Sequence, residues 1–109
     1  MQPYETVAEG AEAEGAEKVY IVTIPMPTAD KEYHRIIHDV KGIRLQCRDG
    51  TAFRFAFEQE KVASATPNEP YHTVLANGHV TLRGLNVEEL HLYLACGVGA
   101  KVAEVIVWE

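Results

Sequence analysis

The chain lacks a long apolar run and a basic N-terminus, and it has little positive charge. No stretch of about 18 apolar residues occurs in its 109 residues, so we expect no transmembrane helix. The first residues, MQPYETVAEG, lack the basic start and apolar segment of a signal peptide, which predicts synthesis in the cytoplasm. Ten Lys and Arg against sixteen Asp and Glu give a net charge of −6. This balance argues against general nucleic-acid binding, which requires neutralisation of phosphates.

Signatures of catalysis are also missing. The single serine, Ser64, lies in a polar stretch without a GxSxG motif, and the segment GVGAK at 97–101 lacks the spacing of a phosphate-binding loop. The two cysteines, Cys47 and Cys96, have no zinc-binding spacing and fall on the apolar side of alternating segments. We expect buried free thiols, no catalytic residues and no cofactor.

The histidines suggest a metal site, which their spacing does not support. His34 and His38 are four residues apart, as on one face of a metal-binding helix, but the glutamate of an HExxH motif is absent. On a strand, their side chains would lie about 13 Å apart, too far to share an ion. We therefore predict no metal site.

Residues 1–17 differ from the rest of the chain. They contain no basic residue, and 8–17 read AEGAEAEGAE. Such a segment buries too little apolar surface to fold alone. We predict an acidic arm over 1–17, either a solvated tail or a segment docked on a basic surface, followed by one folded domain over 18–109.

The folded part has the pattern of β-strands. VYIVTIP at 19–25 is β-branched and ends at Pro25, and KVAEVIVW at 101–108 is mostly apolar on both faces. NVEELHLYLACG at 86–97 has a helix-like capping box at Asn86 and Glu89, but its strict alternation from Leu90 to Cys96 favours a strand. KEYHRIIHDVKG at 31–42 is ambiguous. Its apolar residues fit an amphipathic helix, but it is short, β-branched and placed between strands, so both alternatives stay open.

Two hairpins are predicted. In IRLQCRDGTAFRFAF at 43–57, a three-residue loop over 48–50 with a left-handed Gly50 aligns all large apolar side chains on one face. In TVLANGHVTL at 73–82, Asn77-Gly78 is a strong two-residue turn signal.

The first hairpin would place three arginines together. Arg44 would face Arg54 across the strands, with Arg48 on the same side, and like charges directly opposite are unfavourable. Unless they spread into water, a carboxylate should lie across them, supplied by the arm, by Glu58 or by a neighbouring subunit, because the planar guanidinium binds carboxylates in two places. We therefore predict an anion-facing patch of Arg44, Arg48 and Arg54.

The first and last strands are apolar on both faces, although one face of a lone sandwich sheet should meet water. This excess of apolar side chains favours self-association of the chain over a closed interior with a few exposed valines. The predicted contact residues are Val19, Ile21, Val102, Ile106 and Trp108.

Three segments of the sequence resemble a known class of proteins, and this resemblance implies a function. GIRLQCRDGTAFRFAFEQEKVA, PYHTVLANG and LHLYLACGVGAKVAEVIVWE resemble small β-sandwich structural proteins of bacteriophages and prophages. The resemblance covers about 18–109, and it implies a head, neck or decoration role, a virion location, no enzymatic residues and a strand at EYHRIIH.

The sequence as a whole predicts an all-β protein, a small jelly-roll-like antiparallel β-sandwich with an acidic arm. The expected function is a non-enzymatic virion component that forms homo-oligomers and contacts other virion proteins, without direct contact to nucleic acid or membrane. The alternative is a ligand-binding β-sandwich such as a carbohydrate-binding module, for which Tyr20, Tyr93 and Trp108 would form the aromatic platform.

Overall fold

The computed structural model describes residues 18–109, and these residues form eight β-strands and no helix. The predicted arm at 1–17 lies outside the described residues. The strands are β1 (Val19–Met26), β2 (Tyr33–Val40), β3 (Gly42–Cys47), β4 (Phe53–Ala56), β5 (His72–Val74), β6 (His79–Leu82), β7 (Val87–Ala95) and β8 (Lys101–Trp108). Residues 18–109 contain no helix long and apolar enough to cross a membrane.

The strands form two antiparallel four-stranded sheets. Sheet A has the order β1-β8-β3-β6 and sheet B the order β2-β7-β4-β5. The strands pair in a nested order, as in one long hairpin folded on itself: β1·β8, β2·β7, β3·β6 and β4·β5. Two additional pairs, β3·β8 and β4·β7, arrange this hairpin in two layers. This is the strand order of a jelly roll, and the predicted all-β sandwich is confirmed.

One hydrophobic core lies between the inner faces of the sheets. Alternate residues of each strand point into it, because side chains of a strand alternate between faces. The predicted strands β1, β7 and β8 are confirmed; β1 continues through Pro25, which an edge strand tolerates. Cys47 and Cys96 are buried free thiols, as predicted. The fully buried core side chains include Met26, Ile43, Leu45, Leu92, Leu94, Val105 and Val107.

The ambiguous segment is strand β2, so its helical interpretation is wrong. Ile37 and Val40 are both buried, although residues three apart on a regular strand point to opposite faces. Asp39, with φ at 53°, interrupts the alternation between them. Ile36, which the helical pattern would bury, is 40% exposed. A local backbone irregularity therefore produced a helix-like spacing.

Both predicted hairpins are wrong, because each pair of strands is divided between the sheets. Strand β3 pairs with β6 and β8 in sheet A, whereas β4 pairs with β5 and β7 in sheet B. Strands β5 and β6 are likewise in different sheets. The apolar faces of these strands meet across the core instead of lying side by side in one sheet. The alternation of apolar and polar residues along each strand is compatible with either arrangement.

The two turn signals mark crossovers between the sheets. The Gly50 amide donates to the Cys47 carbonyl at 3.1 Å, and Gly50 has the predicted left-handed conformation, with φ at 83°. The Asn77 amide donates to the Gly50 carbonyl at 2.8 Å, so the turns pack together. A Cβ at Gly50 would collide with the Asn77 side chain.

Asp49 organises the first crossover. Its Oδ1 accepts from the Thr51 amide at 3.1 Å and from the Thr51 hydroxyl at 2.7 Å, and its Oδ2 accepts from Lys101 Nζ at 2.6 Å. The hydrogen bond from Lys101, followed by those from Thr51, holds the pKa of Asp49 well below its usual value. The turn between β3 and β4 is thereby tied to the start of β8.

We expect Asp49→Asn to lower the free energy of unfolding in a pH-dependent way. Because the folded-state pKa of Asp49 lies below its ordinary value of 3.8, its charge stabilises the fold above about pH 4, and this contribution is lost as pH falls through the folded-state pKa. Urea unfolding from pH 7 to pH 2.5 should show the wild-type advantage narrowing below about pH 4. Lys101→Met should reduce the same pH dependence, because it removes the largest of the contacts that lower the Asp49 pKa and leaves those of Thr51. A wild-type advantage that stays constant with pH would contradict the assignment.

Candidate functional site

The outer face of sheet A brings the predicted contact residues together with two of the three arginines. Directly opposed residues of paired strands share a face. Ile21 lies opposite Ile106, and Ile106 lies opposite Arg44 on its other side. The same register adds Val19, Val102, Glu104 and Trp108. We call this surface face A.

The apolar part of face A is exposed mainly along β1. Ile21 is 66% exposed and Val19 is 38% exposed, while Val102 and Ile106 are half-buried. Ile21 and Ile106 line a shallow depression of about 140 Å³ together with Arg44, Gln46 and Glu104. Trp108 is only 1% exposed. It therefore offers no surface for a contact, and face A consists of the other four apolar residues and their charged neighbours.

The two arginines of face A have different surroundings. Arg48 forms an ion pair with Glu104, at 2.9 Å between Nε and Oε2, and such an exposed pair contributes little stability. Arg44 lies on a central strand, where Nη2 is 3.3 Å from His79 Nδ1. Its Nε is buried and has no hydrogen-bond partner within the described part of the chain. Among residues 18–109, no carboxylate forms a salt bridge with Arg44.

Arg54 lies on the other sheet, so the prediction that it faces Arg44 is wrong. It lies opposite Thr73 and Ala95 in sheet B. Its side chain is 14% exposed and pairs with Asp30 at 3.0 Å. Its Nε donates to the Val62 carbonyl at 2.7 Å, and Nη2 donates to the Ser64 carbonyl at 2.6 Å. The carboxylate that faces Arg54 is therefore that of Asp30, which belongs to the same domain.

These contacts hold segment 57–71 against the outer face of sheet B. Val62 is fully buried and packs with Ala56, Ala95 and Tyr93 in a second, smaller cluster. The Glu32 carboxylate accepts from the backbone amides of residues 60 and 62 at 2.9 and 3.3 Å. Arg54 therefore stabilises a long loop, a role that sequence patterning did not reveal because the loop's path was unknown.

A chain of polar side chains lies on the outer face of β2 and β7. His34 Nε2 is 2.9 Å from His91 Nδ1, and His91 Nε2 is 2.7 Å from Glu89 Oε1. The ring of His34 also stacks on Tyr93, with centroids 4.2 Å apart. The spacing in the sequence brings His34 together only with His38, since the diagonal pairing with His91 depends on the register of two strands distant in sequence.

The aromatic residues considered for ligand binding do not form a platform. Tyr20 lies opposite Val107 and packs on the core, Trp108 is buried, and Tyr93 belongs to sheet B. The proposed arrangement of these three residues is therefore wrong. Within the described part of the chain, no group of three or more His, Cys, Asp or Glu side chains could hold a metal ion.

We expect Arg54→Ala to destabilise the fold and release segment 57–71. The substitution leaves Asp30 and two carbonyls without their donor, a loss of about 1–3 kcal/mol. Urea unfolding gives the change in free energy, and hydrogen exchange gives the protection of 57–71. Arg48→Ala is the matched control and should cost less than about 1 kcal/mol. Equal effects of the two substitutions would contradict the role of Arg54.

The comparisons with known proteins identify no family. No protein-family model matches the chain, and no curated protein matches it. A solution NMR structure of a de novo designed double-stranded β-helix is similar to it, with 13% sequence identity and a TM-score of 0.48. The alignment covers 84% of this chain and 99% of the designed protein. At this level the similarity carries no argument about function.

Proposed function

We propose that the protein is a non-enzymatic structural component of a phage or prophage virion, and that face A is its contact with a second copy of the chain. The observation that carries the assembly part is the exposed apolar surface of Ile21 and Val19 beside Arg44, which is half-buried and forms no salt bridge with a carboxylate of residues 18–109. An apolar centre with charged neighbours is the usual composition of a specific protein interface.

Charge complementarity supports a second copy as the occupant. Face A carries both Arg44 and Glu104, so two copies related by a two-fold axis can offer each arginine a carboxylate of the other. The apolar part of the surface can also meet its own copy, because Ile21 and Ile106 lie side by side on it.

The virion part of the proposal is supported by the sequence resemblance. Jelly rolls occur in viral capsid proteins, but also in lectins and cupins, so the fold alone does not select a function. The protein would be made in the host cytoplasm and would reach the virion by assembly, as a capsid decoration, head or neck protein that also contacts other virion proteins.

We expect the wild-type chain to associate at micromolar concentration and Ile21→Glu to weaken this association at least about tenfold. The charge would be buried in the apolar centre of the contact, whereas the monomer tolerates it because Ile21 is 66% exposed. Sedimentation velocity should give a mass above the 12.1 kDa of one chain. Leu75→Glu is the control, since Leu75 is 73% exposed and lies outside face A. A monomeric wild type, or equal effects of the two substitutions, would refute the contact.

We expect the gene to lie among genes for phage structural proteins, such as capsid and portal genes, because virion components are made together. Sequencing the flanking DNA checks this expectation. A location among unrelated metabolic genes would refute the virion role while leaving assembly through face A intact.

A further inference from the structure

The outer face of β2 and β7 places two imidazole nitrogens within 2.9 Å of each other, His34 Nε2 and His91 Nδ1. The rings lie at 18° to each other with centroids 5.1 Å apart. Both residues are accessible: His34 is exposed, and the side chain of His91 is 37% exposed. Both imidazole side chains therefore contact solvent.

Glu89 fixes which nitrogen of His91 is free. An ionised carboxylate only accepts hydrogen bonds, so the contact of 2.7 Å between Glu89 Oε1 and His91 Nε2 requires a proton on Nε2. In the neutral ring, His91 Nδ1 then carries a lone pair, and His34 Nε2 donates to it. A histidine whose other nitrogen donates to a carboxylate is the usual arrangement of a metal-bound histidine, because the carboxylate orients the ring and raises its basicity.

We propose that His34 and His91 form a surface site for a divalent transition-metal ion, with Cu²⁺ as the best fit. Imidazole suits copper, nickel and zinc, and Cu²⁺ binds most tightly among the divalent first-row ions. Two nitrogens 2.9 Å apart, each about 2.0–2.1 Å from an ion, subtend an angle of about 90°. This is the angle between neighbouring ligands in tetragonal copper coordination, and it is narrower than the tetrahedral angle that Zn²⁺ prefers.

The change in protonation is balanced. Neutral His34 loses its Nε2 proton to solvent and takes up a proton from solvent on Nδ1. Its Nε2 lone pair is then free for the ion, which takes the place of the proton between His34 Nε2 and His91 Nδ1, and no net proton is released. His91 keeps its Nε2 proton on Glu89, and Tyr93 stacks on the His34 ring at 9° between planes. Water completes the coordination, because the site offers two histidine ligands.

Titration of the full chain with CuCl2, followed by calorimetry and by paramagnetic resonance, tests the site. We expect one ion bound per chain with nitrogen coordination. His34→Ala and His91→Ala should each weaken binding at least about tenfold, and Glu89→Ala, which removes the acceptor of His91 Nε2, should weaken it about tenfold through the lost orientation of His91. His72→Ala, an exposed histidine on β5, should leave binding unchanged.

A measurement on the wild-type chain makes the test independent of any variant's folding. Substoichiometric Cu²⁺ should broaden NMR signals around residues 34 and 91 before those around residues 72 and 79. Absence of binding, broadening centred elsewhere, or unchanged affinity in both His34→Ala and His91→Ala would overturn the proposal.

Discussion

The nested pairing of strands distant in sequence is the constraint on which the rest of the structure depends. The ends of the domain are joined, because the backbones of Lys18 and Glu109 exchange hydrogen bonds of 3.1 and 2.9 Å beyond the β1·β8 ladder. In the described part of the chain, β4 and β5 are the one pair of consecutive strands that are hydrogen-bonded to each other. The core can therefore form only after long loops have closed, and their entropy opposes folding until the apolar faces meet.

This pairing also determines what remains on the outside. Strands apolar on both faces can bury one face in the core, and the second face needs other cover. On sheet B, the chain provides some of that cover itself, because segment 57–71 is held by Arg54 and buries Val62 against the sheet. On sheet A, Ile21 and Val19 remain exposed. Part of the outer face of sheet B is thus covered by the same chain, although Ile36 on that face is 40% exposed, whereas Ile21 on sheet A is 66% exposed.

Much of the architecture could be predicted from the sequence, and the limits have a physical cause. Alternation identified most of the strands and, for β3, β4 and β7, the side that is buried, since that side depends on parity alone. It left β2 open, and it did not distinguish the two apolar faces of β1 and β8. It could not show whether two amphipathic strands lie side by side or face each other across a core, because both arrangements bring their apolar sides together. Both hairpin predictions failed for this reason. The predicted grouping of the arginines failed with the first of them, and the neighbours of His34 required a register that local patterns do not contain.

The position of each of the three arginines in the two sheets determines which acceptors its guanidinium group meets. Arg54 is nearly buried and has three acceptors within the domain, whereas Arg48 is largely exposed and has one carboxylate. Arg44 lies between these cases. It is flanked by Ile106 and Thr81 on a central strand, and its Nε is buried with no partner among the residues that the structure describes. The desolvation of its guanidinium is therefore partly incurred in the single chain. A carboxylate arriving from outside would have mainly its own hydration to lose, so face A favours an anionic partner at this position more than at either of the other two arginines.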